Sequence, residues 1–224
     1  MVEQIQIFFS IDNIAFTIIG YPMSYIEFIG TVLYLWSVWL ISKRQVLTWP
    51  VGIIGVLLYM GLFYQIKLYS DAIEQVYYLG ASVYGWWKWN KSLKDNGKIT
   101  DVHYSNPMGM ILWIVLTSVV SASAGFLMSR IHILLPVLFP AAASFPYLDA
   151  LTTIMSFAAM WLMVQKKTES WIYWIVVDVI GIWLYFVKDV KFISLLYVIL
   201  LILAINGLRM WSKIPKLYKH GHHF

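Results

Sequence analysis

Asp178 lies well inside the long apolar run 171–188, and Trp171, Trp174, Asp178, Ile182 and Tyr185 recur there at spacings of three and four. That spacing places an acid and three aromatic side chains on one helical face. An ionisable group near the middle of a membrane span costs about 3 kcal/mol on insertion scales, so it tends to face a lined path rather than lipid. A carboxylate among rings suits a flat cation: the ring faces attract positive charge and the acid supplies the counter-charge. The competing reading is an acid that hydrogen-bonds a neighbouring helix. Gln75, Tyr78 and Ser82 form a second polar stripe at helical spacing, and the Gln75 amide both donates and accepts, which fits hydroxyls or a carboxamide.

Other chemistries find no support. All five histidines, His103, His132, His220, His222 and His223, lie outside the apolar runs, there is no cysteine, and no Walker A sequence occurs. No nucleophile with its base and no metal cluster can be assembled, apart from a weak histidine group in the tail. Neither an enzyme nor a cofactor nor a metal is expected.

The elements that must position Asp178 and Gln75 follow from composition. With 61% hydrophobic and 12% charged residues, the chain has too little polar surface to coat a water-soluble globule of its length. Its partner is a lipid bilayer. A span needs about 20 apolar residues, and seven candidates are bounded by charge or turn residues: 26–42, 49–66, 71–89, 108–128, 147–165, 171–188 and 192–211. Upstream, Ile7, Ile11, Ile14, Ala15 and Ile18 share one helical stripe interrupted by polar residues, which predicts an interfacial helix. Tryptophans near span ends, Trp49, Trp86, Trp87, Trp89 and Trp211 among them, are expected in an aromatic belt at the membrane surface.

The chain also repeats itself. Shifting it by 122 positions lays Tyr25–Trp89 onto Tyr147–Trp211 without a gap, matching Trp39 with Trp161, Trp49 with Trp171, Trp89 with Trp211 and Gly85 with Gly207 among other identities. Such self-similarity points to duplication. Each copy holds three spans, and three spans reverse the chain's direction, so the unmatched span 108–128 restores parallel orientation. The predicted fold is therefore an all-α polytopic membrane protein with seven transmembrane helices in a 3+1+3 parallel duplicated arrangement, its halves related by a pseudo-two-fold along the membrane normal. In domain terms, 1–24 is an N-terminal interfacial segment, 25–90 the first bundle, 91–146 a loop with the linker span and an outer loop, 147–212 the second bundle and 213–224 a basic tail. The linker span is rich in small residues, Thr117, Ser118, Ser121, Ser123 and Gly125, suited to close helix packing.

Symmetry extends the candidate site. Gln75 pairs with Tyr197 under the shift, so Tyr197 faces the same space from the opposite wall; both residues also have an ordinary interhelical hydrogen-bonding explanation. Asn206 is a polar residue inside the last span, placed either at the cytoplasmic end of the path or against Gly85 or Gly207. Glu27 and Asp149 pair across the repeat at outer span starts, where they either attract cations or simply complement the helix dipole. Pro50, Gly52 and Gly55 weaken the start of the second span, whereas the second copy has Ile172, Trp174 and Val177 there. The first bundle is thus expected to hinge more than the second.

Charge orients the chain. Lys43, Arg44, Lys88, Lys91, Lys94, Lys98, Lys166, Lys167, Arg209, Lys213, Lys216 and Lys219 fall on one side of the seven spans, and only Lys67, Arg130, Lys188 and Lys191 on the other. The positive-inside rule makes the first side cytoplasmic, with the N-terminus outside and the C-terminus inside. The same asymmetry accounts for the net charge of +5 without a nucleic-acid partner.

The run Trp49-Pro50-Val51-Gly52-Ile53-Ile54-Gly55, with Leu58-Tyr59, Phe63-Tyr64, Asp71-Ala72, Gln75 and Tyr84-Gly85-Trp86-Trp87-Lys88-Trp89, resembles the first half of PnuC-type vitamin transporters. The second half, from Asp149-Ala150-Leu151-Thr152-Thr153 through Trp161-Leu162, Trp171, Trp174-Ile175-Val176-Val177-Asp178 and Leu196-Tyr197 to Gly207, is similar to the same family. The resemblance implies a bacterial inner-membrane transporter of nicotinamide riboside with a fold like a full-length SWEET sugar transporter. It further implies facilitated diffusion, a homotrimer and a substrate contact from Trp183, for which helical spacing gives no support. The pyridinium of nicotinamide riboside agrees with an acid among rings; thiamine or another vitamin would fit as well. A non-transporting scaffold would instead tolerate changes at Asp178 and Gln75.

Overall fold

The structure, a computed structural model, describes residues 4, 7–18, 20–96, 102–135, 137 and 142–220, with backbone alone at 69, 70, 96 and 214–220. Lys98, His222 and His223 lie outside the described residues. Seven helices follow a short hairpin: α1 (Tyr25–Ser42), α2 (Thr48–Gln65), α3 (Tyr69–Asn96), α4 (Pro107–Leu134), α5 (Pro146–Val164), α6 (Ser170–Val187) and α7 (Lys191–His220). Six of them are long and apolar enough to cross a membrane; α3 is the exception. Its ends carry the reason, with Asp71 and Glu74 at the start and Lys88, Lys91, Lys94 and Asp95 towards the finish. The chain is a multi-pass membrane protein.

Three expectations are corrected. The interfacial helix does not run through the first 20 residues, because β1 (Ile14–Ile18) pairs antiparallel with β2 (Tyr21–Ser24), and Gly20 takes the positive φ of 79° that their turn requires; a glycine meets that conformation without steric cost. Ser24 then caps α1, accepting from the Glu27 N–H, the first half of a capping box. Second, α4 reaches Leu134, which brings His132 into its last turn, and α7 continues as a helix to His220, into the segment set apart as a basic tail. Third, Trp49, Trp89 and Trp211 are fully buried rather than in an aromatic belt; Trp86 and Trp87 are exposed.

Those buried indoles form the core where the two copies meet. Trp49 packs edge-on to Trp89 at 5.3 Å and Trp171 edge-on to Trp211 at 5.6 Å, while Trp89 and Trp211 lie 6.2 Å apart. Gly85 and Gly207 make room for them: a Cβ at Gly85 would come within 2.5 Å of Trp49, and one at Gly207 within 2.6 Å of Trp171. Trp89 Nε1 donates to the Val164 carbonyl at 3.1 Å, and Trp211 Nε1 to the Ser42 carbonyl at 3.0 Å. Ser42 and Val164 are themselves 122 residues apart. Each copy therefore closes one helix end of the other with an indole hydrogen bond.

The backbone repeats where identities do not. Among the described residues the non-glycine positive-φ positions are Arg44 and Lys166, and Lys67 and Asp189, two pairs at the repeat distance. Each follows a helix, and the N–H of the next residue reaches back five positions: Gln45 to Leu40 O and Lys167 to Leu162 O, Leu68 to Phe63 O and Val190 to Tyr185 O. These are Schellman-type ends that satisfy the last carbonyls of α1, α5, α2 and α6.

Packing is sequential within each copy, α1 on α2 on α3 and α5 on α6 on α7, with α1 against α7 and α3 against α5 between copies. Helix α4 packs on α5 alone to any extent. Thr117, Ser121 and Gly125, spaced by four, form its buried stripe, and a Cβ on Gly125 would reach Tyr147 at 2.6 Å. Ser118 and Ser123 are exposed.

Candidate functional site

Helix α6 carries Asp178 into the protein with 3% of its surface exposed. Among the described residues nothing hydrogen-bonds or ion-pairs with it, although the phenols of Tyr34 on α1 and Tyr197 on α7 lie within its electrostatic reach. An isolated buried carboxylate is costly, by several kcal/mol, unless it is neutralised or paired. One turn outward, Gly181 supplies the floor on which Tyr197 rests: a Cβ there would lie 2.6 Å from the ring. Tyr197 in turn stacks on Tyr185 at 5.4 Å and 19°. The repeat inverts this pair of sizes, since the first copy has Tyr59 where the second has Gly181 and Gln75 where it has Tyr197.

Helix α3 contributes from the other copy. Tyr78 packs edge-on to Phe157 of α5 at 5.8 Å and faces Ser156. Gln75, one turn before it, is half-buried, and among the described residues its amide has no hydrogen-bond partner. Trp174 is half-buried one turn from Asp178 on the Trp171 side, packed against both hydrophobic clusters. Asp178, Tyr197 and Tyr78 are thus brought towards one interior region, flanked by Gln75 and Trp174.

The other predicted positions go elsewhere. Trp183 is half exposed, its ring edge-on to Phe145 at 5.8 Å, because five residues rotate it off the Asp178 face. Asn206 is exposed on α7. Pro50 falls in the first turn of an unbroken α2, where a missing N–H costs no helical bond. Gly52 and Gly55 face α1, where a Cβ on each would meet Ser37 or Leu33 at an ordinary contact distance of 3.7 Å. Helix α2 runs through these three residues without a break.

At the starts of α1 and α5 the paired acids differ. Glu27 is buried and accepts from the Tyr21 hydroxyl at 2.8 Å; burial, then this bond, raises the Tyr21 phenol above its usual range. Asp149 is half-buried and pairs with Lys188 at 3.7 Å.

Two inward groups escaped sequence reasoning. Tyr34 offered no pattern beyond being a tyrosine in a span. Glu74 did offer one, since it is an acid within the 71–89 run, and the cost argument applied to Asp178 applies to it equally. Its Oε1 accepts from Thr153 Oγ1 of α5 at 3.2 Å.

Comparison with known proteins agrees with this architecture. Residues 24–213 match the profile of the family described as Nicotinamide mononucleotide transporter. The chain is 30% identical to the nicotinamide riboside transporter PnuC of Escherichia coli (strain K12), over 91% of this chain and 93% of that protein. It is 26% identical to the riboflavin/roseoflavin transporter RibM of Streptomyces davaonensis, over 90% and 91%. A crystal structure of the vitamin B3 transporter PnuC superposes with a TM-score of 0.65 at 22% identity, covering 86% of this chain and 82% of that one, and so shares its fold. With its sequence matched along almost the whole membrane region, the chain belongs to the nicotinamide mononucleotide transporter family, alongside the PnuC proteins.

Proposed function

We propose that this protein carries nicotinamide riboside across a bacterial inner membrane by alternating access, without hydrolysing ATP. The observation that carries the reading is Asp178: a carboxylate buried between the two copies, unpartnered among the described residues, with the phenols of Tyr34 and Tyr197 near it. A pyridinium satisfies that environment with both charge and a flat face. The 30% identity to a nicotinamide riboside transporter over nearly the full length of both chains supports the same substrate.

The architecture behind this reading is 3+1+3, with α1–α3 and α5–α7 as like-facing halves and α4 as the reversing spacer. Three features support it: the exchange of α1/α7 for α3/α5 under the repeat, the matched helix ends and the reciprocal indole bonds. The binding groups are Asp178, Gln75, Tyr78, Tyr197 and Trp174. Flow is facilitated diffusion, drawn inward by phosphorylation of the vitamin inside the cell, and the assembly is a homotrimer; both follow from the family resemblance. The N-terminus lies outside and the C-terminus in the cytoplasm, on the distribution of cations.

A second reading has its own observation: the similarity to a riboflavin transporter, whose substrate is a neutral flat ring with a polyol chain. Asp178 opposes it, because a buried acid gains little from an uncharged ring. Uptake of labelled nicotinamide riboside, riboflavin and thiamine into liposomes holding the purified protein separates these outcomes. Saturable entry is expected for the riboside, independent of ATP. Entry of riboflavin alone would replace the substrate, and no saturable entry of any would overturn the transport reading.

A further inference from the structure

We propose that Glu74 selects the sugar of the substrate, its carboxylate accepting from the vicinal hydroxyls of a ribose whose attached cationic ring lies at Asp178. The inference rests on the proposed substrate and adds a residue and a role to it.

Three observations carry it. First, Glu74 is held inward from the opposite half: Thr153 of α5 donates to its Oε1 at 3.2 Å. The matched threonine, Thr31, bonds the Tyr59 hydroxyl at 2.8 Å instead, so each threonine of the pair fixes one interior group of the first half. Second, Glu74 and Asp178 address the same phenol. Tyr197 lies within electrostatic reach of both acids, and Tyr78 and Tyr185 within reach of Glu74. Tyr185 is seven residues outward of Asp178 on α6, about 10 Å at the helical rise, which places Glu74 on the outer side of the buried acid at roughly the span of a nucleoside. Third, Glu74 retains acceptor capacity. Among the described residues only the Thr153 hydroxyl hydrogen-bonds to it and no cation pairs with it.

The chemistry follows from charge balance. A substrate with one positive charge satisfies one carboxylate, and Asp178, buried without a partner, is that one. A second, half-buried carboxylate then needs neutral donors. Two adjacent hydroxyls supply two, aimed at the two oxygens of one carboxylate, as acids in dinucleotide-binding folds take ribose hydroxyls. At the matched position of the second half stands Leu196, so the copies differ in whether they offer the acceptor.

The test is a cycle of two ligands and two proteins, read by calorimetric binding to the full-length protein in detergent. The ligands are nicotinamide riboside and its 2′-deoxy analogue; the proteins are the unaltered chain and Glu74→Leu, which installs the residue type already present at the matched site. The unaltered protein is expected to bind the riboside at least tenfold more tightly than the deoxy analogue, and Glu74→Leu to bring the two within about threefold of each other. Glu74→Gln, which keeps one acceptor oxygen, is expected to fall between and serves in place of Glu74→Leu should the latter not fold. An unchanged preference in either variant, or equal binding of both ligands by the unaltered protein, overturns the role of Glu74 while leaving the substrate standing. Failure of the unaltered protein to bind the riboside overturns the substrate and this assignment together.

Discussion

The proposed binding site turns on one carboxylate. Asp178 is buried with no partner among the described residues, and its removal separates binding from folding. Asp178→Asn keeps the shape and deletes the charge. Affinity for nicotinamide riboside should fall by about 1.5–3 kcal/mol, the range for hydrogen bonds to charged groups, which is roughly ten- to hundred-fold. Thermal stability should hold or rise, because an uncompensated buried charge has gone. A titration and a melting curve on the same preparation check both. Loss of binding together with loss of stability would make Asp178 a structural acid instead. Tyr197 depends on its neighbour just as directly: only glycine at 181 leaves the ring its seat.

Among the helices, the strongest constraint is the joint between copies rather than any one span. Gly85 and Gly207 admit Trp49 and Trp171, and the indoles of Trp89 and Trp211 close the ends of α5 and α1 across the interface. Gly85→Ala and Gly207→Ala each force a methyl group to within about 2.5 Å of a fully enclosed ring, with overpacking costs of about 1–3 kcal/mol. Both should lower the unfolding temperature of the purified protein by comparable amounts. Gly80→Ala, whose added Cβ meets nothing within 4 Å, should leave it unchanged or slightly raised. Equal behaviour of all three would mean that the indole core yields easily.

For the molecule as a whole, the arrangement of charge predicts how the chain lies in the membrane, and the sequence contains no cysteine, so one introduced thiol is the sole target. Lys43→Cys is expected to resist a membrane-impermeant thiol reagent in intact inner-membrane-enclosed cells and to react after permeabilisation. Asp189→Cys is expected to react in both. The reverse pattern would invert the protein and move the acid-lined end of α3 to the cytoplasm.

The sequence by itself determined the number and order of the helices, because a bilayer demands long apolar runs and the polar residues that punctuate them are visible one by one; the far ends of α3, α4 and α7 run beyond the apolar runs and came only from the structure. It also carried the register of the proposed duplication, and through it the expected link between Gln75 and Tyr197, since copies of one unit keep their register. Asp178 was legible for the same reason: an acid in an apolar run has a cost that must be met. What the tertiary structure decided was direction. Trp49, Trp89 and Trp211 sit near span ends, as surface anchors do, and only the meeting of two copies turns them inward; Trp183 is one turn of sequence from the site yet points away. Thr153 reaches Glu74 across 79 residues, and no local pattern announces such a bond, because hydrogen-bond partners in different helices are chosen by packing rather than by spacing along the chain.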